Sequence, residues 1–184
     1  MRRQILARAV AAGICGLTFG GLKSVNAQPS PPKFTLHSAD FAPGAPIPTA
    51  DTCSGANRSP ALNWSGAPTG VKSFALLVTD PDAPMGVYKH WIVYNLSPAT
   101  DRLPANLPAT PTIAGGGVQG TNERGTIGYH GPCPPPGPAH HYHFRLYALD
   151  EMLDLKPGAT NDEVEAAMKG HELAATDLVG TFAR

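Results

Sequence analysis

The chain has 184 residues with 14 basic and 14 acidic side chains, 20 prolines, 20 glycines and three cysteines. The balance of charge, with no block of either sign, argues against nucleic acid or an anionic lipid surface as a general partner. The length suits one domain with a single sizeable core, and no internal repeat is present.

Residues 1–27 read as a secretory signal peptide: Arg2 and Arg3, an apolar stretch broken by glycines, then the small residues Val25 and Ala27 before cleavage. Arg8 and Lys23 bracket fewer than the roughly 18 apolar residues of a membrane span, so no stable anchor is expected. The mature protein is therefore expected to be periplasmic or secreted. Cleavage removes four basic residues and no acidic one, leaving 10 against 14 and a net charge of −4. Any anion it binds must then be held by local geometry. The two remaining cysteines, Cys53 and Cys133, are expected to form a disulfide in that compartment, the alternative being two separate buried thiols. The bridge would close a loop of about 80 residues, for which chain entropy gives roughly 4–5 kcal/mol.

Residues 28–33 form a proline-rich lead-in, and residues 34–184 a single domain. Short strands are predicted over Phe34–His37, Ala61–Trp64, Ser73–Thr79 and His90–Leu96, separated by turn signals. A long proline- and glycine-rich crossing, Ser97–Gly128, precedes strands at His141–Leu149 and near Asp177–Ala183. Thr160 and Glu163 form a capping box, and Val164, Ala167 and Met168 recur at helical spacing before Gly170, which predicts a helix over Asn161–Lys169. The economical architecture is a mainly antiparallel β-sandwich with a few peripheral helices.

Strand alternation sorts the segment PAHHYHFRLYALD into two faces. His140, Tyr142, Phe144, Leu146 and Ala148 share the core face, whereas His141 and His143 point to solvent. The same parity groups His90 with Ile92, Tyr94 and Leu96. Asp80 ends the apolar run SFALLVTD. These residues stand at strand ends, where pockets form, although parity does not show that the ends meet. In the loop GYHGPCPPPG, prolines 132, 134, 135 and 136 lack an N–H. Cys133 therefore carries the only backbone donor between Gly131 and Gly137. If the loop lines a pocket, that N–H is its natural anion donor; otherwise the loop is a rigid turn.

Taken together, CSGANRSPALNW, TDPDAP, His90-Trp91, GYHGPCPPPG and His140-x-Tyr142-x-Phe144 resemble successive signatures of the phosphatidylethanolamine-binding protein family, in particular its bacterial Raf kinase inhibitor-like branch. The resemblance runs from about Phe34 to Phe182. It implies a β-sandwich, no cofactor, and a pocket for a small anion such as phosphate or a phospholipid head group. It assigns ligand-binding roles to Asp80, Asp82, His90, Pro134, Pro135, His140 and Tyr142. Cys133 stands where many members carry glycine or alanine. Two imidazoles, a carboxylate and a phenol make a sensible anion cradle, whose affinity is expected to rise as pH falls toward about 6.

Other readings compete. Asp80, His90 and His140 have the composition of a two-histidine, one-carboxylate metal enzyme. A hydrolase would use Ser54 or Ser65, but no G-x-S-x-G elbow is present. An inhibitor of a kinase or protease is the third option. Nothing in the sequence specifies a protein partner, and a homodimer stays open. The expectation is a non-enzymatic binding protein. His37, His130 and His171 have no sequence partner that would make them functional.

Overall fold

The computed structural model describes residues 33–184. The predicted signal peptide and residues 28–32 of the lead-in lie outside them. The rest is mainly β, built from two antiparallel sheets. Strands β1 (Thr35–Ser38), β2 (Leu62–Ser65) and β5 (Arg102–Leu103) form the smaller sheet in the order β1-β2-β5. The larger is ordered β6-β4-β3-β7-β8 from β3 (Ser73–Asp80), β4 (Tyr88–Leu96), β6 (Val118–Gln119), β7 (His140–Leu149) and β8 (Glu172–Phe182).

The apolar run of β3 places that strand at the centre of the larger sheet, buried on both faces. One face, with Phe74, Leu76, Val78, Trp91, Val93, Tyr142 and Phe144, packs against Leu36, Leu62 and Trp64 of the smaller sheet. The other face carries Leu77, Ile92 and Tyr94 and packs under Val164 and Met168 of the helix α1 (Asn161–Met168). The capping box is present: the Glu163 N–H donates to Thr160 Oγ1, and the Thr160 N–H donates to Glu163 Oε2. Instead of a few peripheral helices there is one α-helix and one 3-10 turn, Thr49–Asp51, among the described residues.

The long crossing is less irregular than its composition predicts, because it contributes β5 and β6. Gln119 anchors it from a fully buried position. Its Nε2 donates to the carbonyls of Pro108 and Thr110, and its Oε1 accepts from Trp91 Nε1. The last strand is also longer than predicted. Small residues such as Ala174 and Ala175 carry little hydrophobic signal, but pairing with β7 along almost its whole length holds them extended.

Strand alternation holds along β7: His140 and Tyr142 are buried, His141 is exposed and His143 is half-buried. It fails along β4. Val78 pairs with Trp91 but Thr79 pairs with Lys89, so His90 is an extra residue. A second extra residue lies between Val93 and Leu96, where Asn95 takes a positive φ of 56°. Ile92 and Tyr94 consequently face α1, while Trp91, Val93 and Leu96 face the smaller sheet. The predicted grouping of His90 with Ile92, Tyr94 and Leu96 is thus corrected, since each extra residue resets which face the following side chains take.

Candidate functional site

Where β3 ends and β7 begins, the inner face of the larger sheet opens into a cavity of about 210 Å³. It is lined by Asp80, Tyr88, His90 and His140 from the strands, by Ala83 and Pro84 from the connection between β3 and β4, and by Arg124, His130, Cys133, Pro134 and Pro135. The strand ends that parity left unconnected therefore do meet.

His140 donates its Nδ1–H to Asp80 Oδ2 at 2.7 Å, and both side chains are almost wholly buried. The second Asp80 oxygen accepts the N–H of Asp82 at 2.9 Å, which closes the turn after β3. His90 Nδ1 lies 2.7 Å from the carbonyl oxygen of His130. A carbonyl only accepts, so this nitrogen carries the proton and Nε2 is the bare nitrogen of the neutral ring. The backbone answers in kind, with the His130 N–H donating to the His90 carbonyl at 2.9 Å. This reciprocal pairing lays the two rings parallel, 5.8 Å apart.

Burial sets the electrostatics. It lowers the His90 pKa despite the carbonyl acceptor and the nearby Asp80 charge. His130 is brought down to about 4, by burial first and then by His90 and Arg124. Both rings are therefore neutral at neutral pH. Arg124 is the one permanent cation of the lining, and its Nη1 reaches His130 Nε2 at 3.4 Å.

The proline loop is tied to residues 51–57 on the opposite side. Cys53 and Cys133 form a disulfide across a sequence separation of 80. The Cys53 N–H donates to the Pro132 carbonyl, the Gly131 N–H donates to Asn57 Oδ1, and the Tyr129 hydroxyl donates to the Asp51 carbonyl. Among the described residues, nothing accepts the Cys133 N–H.

Two of the sequence candidates lie outside the lining. Tyr142 is fully buried behind it, edge-on to the His90 ring at 5.2 Å and stacked on His140 at 6.5 Å. Its hydroxyl makes no hydrogen bond among the described residues, and burial together with the Asp80 charge raises its pKa. Asp82 is partly exposed and accepts from the Nδ1–H and the backbone N–H of His141, bonds that hold its carboxyl below the ordinary range. His143 pairs with Asp177, and Ser54 and Ser65 are exposed away from the cavity.

Sequence reasoning missed Tyr88, Arg124 and His130. Tyr88 stands two positions before His90, just ahead of the predicted strand His90–Leu96, whereas the observed β4 begins at it. His130 and Arg124 sit in irregular backbone, where no periodicity applies. As for the metal reading, among the described residues no three His, Cys, Asp or Glu side chains converge as a ligand set.

A family model described as phosphatidylethanolamine-binding protein matches residues 37–183. A UPF0098 protein of Methanothermobacter thermautotrophicus is 49% identical over 138 residues, covering 75% of this chain and 91% of its own. The "Putative lipoprotein LppC" of Mycobacterium tuberculosis is 40% identical over 193 residues, covering 96% of this chain and 92% of its own. The crystal structure of Escherichia coli YbcL, described as a new member of the mammalian PEBP family, superposes with a TM-score of 0.77. It is 32% identical and covers 82% of this chain and 98% of its own.

Proposed function

This chain belongs to the phosphatidylethanolamine-binding protein family, and on that premise we propose that it is an exported, non-catalytic protein that binds a small phosphate-like anion, free or as a phosphorylated head group. One observation carries the reading: Arg124, three imidazoles and Cys133, whose N–H has no acceptor among the described residues, line a cavity of about 210 Å³. Arg124 supplies permanent charge, and the Cys133 N–H supplies a donor on a rigid wall. The Nδ1–H groups of His90 and His140 are committed to His130 and Asp80. That leaves each Nε2 to accept a proton held by the ligand, or to donate once protonated.

Non-catalytic binding is supported by the composition of the lining. It contains no serine or threonine, and its one cysteine is in a disulfide, so the His140–Asp80 pair has no such nucleophile to activate. Export is supported by the predicted signal segment, by the disulfide and by the name of the mycobacterial relative.

Calorimetric titration with inorganic phosphate and with phosphoethanolamine, using ethanolamine as control, tests the proposal. Both phosphates are expected to bind with one-to-one stoichiometry and ethanolamine alone is not. Arg124→Gln is expected to weaken binding by about tenfold or more. Repeating the titration in buffers of different ionisation enthalpy should reveal proton uptake. Affinity should rise as pH falls, over a range lower than for free imidazole because burial depresses His90 and His130. Failure of both phosphates to bind at millimolar concentration, or binding indifferent to Arg124→Gln, would overturn it.

A further inference from the structure

β8 lies at the edge of the larger sheet, and its outer side is only partly covered. Toward its C-terminal end the segment Gly44–Ile47 runs alongside. The Gly44 N–H donates to the Val179 carbonyl, the Thr181 N–H to the Ala45 carbonyl and the Ile47 N–H to the Thr181 carbonyl, at 2.7, 3.0 and 2.8 Å. These bonds show that Val179 and Thr181 direct their backbone groups outward. No register shift intervenes between Ala174 and Phe182, so Ala175 and Asp177 do the same. Among the described residues nothing bonds to the outward N–H and C=O of these two residues.

We propose that this open window is a self-pairing edge, through which two copies of the chain join antiparallel about a two-fold axis at Ala175. Three features favour a second copy. The window Leu173–Asp177, LAATD, holds no proline or lysine, the residues that commonly block an exposed edge. It is short and bounded, by the Gly44–Ile47 segment on one side and by the register shift near Leu173 on the other, so a partner strand of the same length fills it. Centred on Ala175, the pairing is also self-complementary. The two Ala175 residues exchange both of their backbone hydrogen bonds, and Asp177 of each copy lies opposite Leu173 of the other.

The charges and sizes agree with that register. Asp177, the one ionised side chain of the window, stands away from the axis and is held by His143 at 2.7 Å, so no like charges are opposed. Ala175 on the axis is small and exposed, which lets the two strands approach. The same edge already exchanges backbone hydrogen bonds with the Gly44–Ile47 segment and forms a parallel bridge between Thr181 and Pro46, so its outward groups are reachable by another stretch of chain. What the cavity holds has no bearing on this surface.

Sedimentation equilibrium of the purified protein, together with amide hydrogen exchange, tests the proposal. A monomer–dimer equilibrium is expected, with exchange at Ala175 and Asp177 slowing as concentration rises. Ala175→Lys places two ammonium groups opposite each other on the axis, at an exposed position. It should raise the dimer dissociation constant by about tenfold or more with the thermal transition unchanged. Ala175→Pro removes the outward N–H while leaving the ladder to β7, and should act in the same direction. A protein that stays monomeric at every concentration overturns the proposal. So does a dimer that survives Ala175→Lys with the Ala175 and Asp177 amides exchanging freely.

Discussion

His140 Nδ1 and Asp80 Oδ2 stand 2.7 Å apart, joining the first residue of β7 to the last residue of β3 with both side chains out of water. The bond selects one tautomer of the histidine, which leaves Nε2 as its free nitrogen, and it gives the buried carboxylate a strong donor. Asp80→Ala strands the imidazole N–H in a dry site and should cost about 1–3 kcal/mol in urea unfolding. Asp80→Asn, which keeps an acceptor, should cost less.

Histidines with depressed pKa values make stability depend on pH. In the unfolded chain His90 and His130 take up protons near pH 6.5, whereas the folded protein keeps them neutral, His130 down to about 4. As pH falls the unfolded state binds more protons than the native state, so the contribution is fully present above 6.5 and declines from there toward about 4. The urea midpoint should fall across that window. His130→Gln should flatten the decline, and a midpoint independent of pH would contradict the burial argument.

The disulfide should act on both stability and the site. Cys53→Ser with Cys133→Ser, or full reduction, is expected to lower stability by about 4 kcal/mol through loop-closure entropy. It should also weaken phosphate binding, because the Cys133 N–H loses its covalent tie to residues 51–57. A thermal melt with and without reductant gives the first effect, and titration of the double variant gives the second.

Gly131 is required by close approach. A Cβ there would lie 2.4 Å from the Asp51 carbonyl oxygen and 2.9 Å from Thr52 Cα, both backbone atoms. Gly131→Ala should therefore push the proline loop off its neighbour, destabilising the protein by roughly 1–3 kcal/mol and reducing phosphate affinity. Equal stability of the two proteins would show that the contact relaxes freely.

Gln119→Ala removes the acceptor for the buried Trp91 indole and the donors for two carbonyls. A loss on the order of 3 kcal/mol is expected. Tryptophan fluorescence read alongside urea unfolding would report both the loss and the changed surroundings of Trp91.

The candidate site was legible where its residues lie on a regular strand. Alternation along HHYHFRLYAL kept His140 and Tyr142 on the core face and turned the more conspicuous His141 outward, as found. Tyr142, however, forms the wall behind the imidazoles and stays out of the lining, because its ring is covered by theirs. His90 was singled out with the wrong neighbours, since an extra residue in β4 is invisible to a pattern of period two. Asp82 was carried by its motif, yet its carboxylate is engaged by His141.

The sequence alone determined the mainly β architecture, the helix with its capping box, the core face of β7 and the cysteine pair. Each depends on local periodicity, on neighbours a few positions apart or on a simple count. The tertiary structure decided what depends on residues distant along the chain. It turned His90 into the cavity through a register shift, brought His130 beside it across 40 positions by one ring-to-backbone and one backbone-to-backbone hydrogen bond, and set Arg124 there as the lining's permanent cation. Backbone hydrogen bonds carry no side-chain signature, so a loop that docks on a strand edge leaves no trace in the pattern of residues that form it.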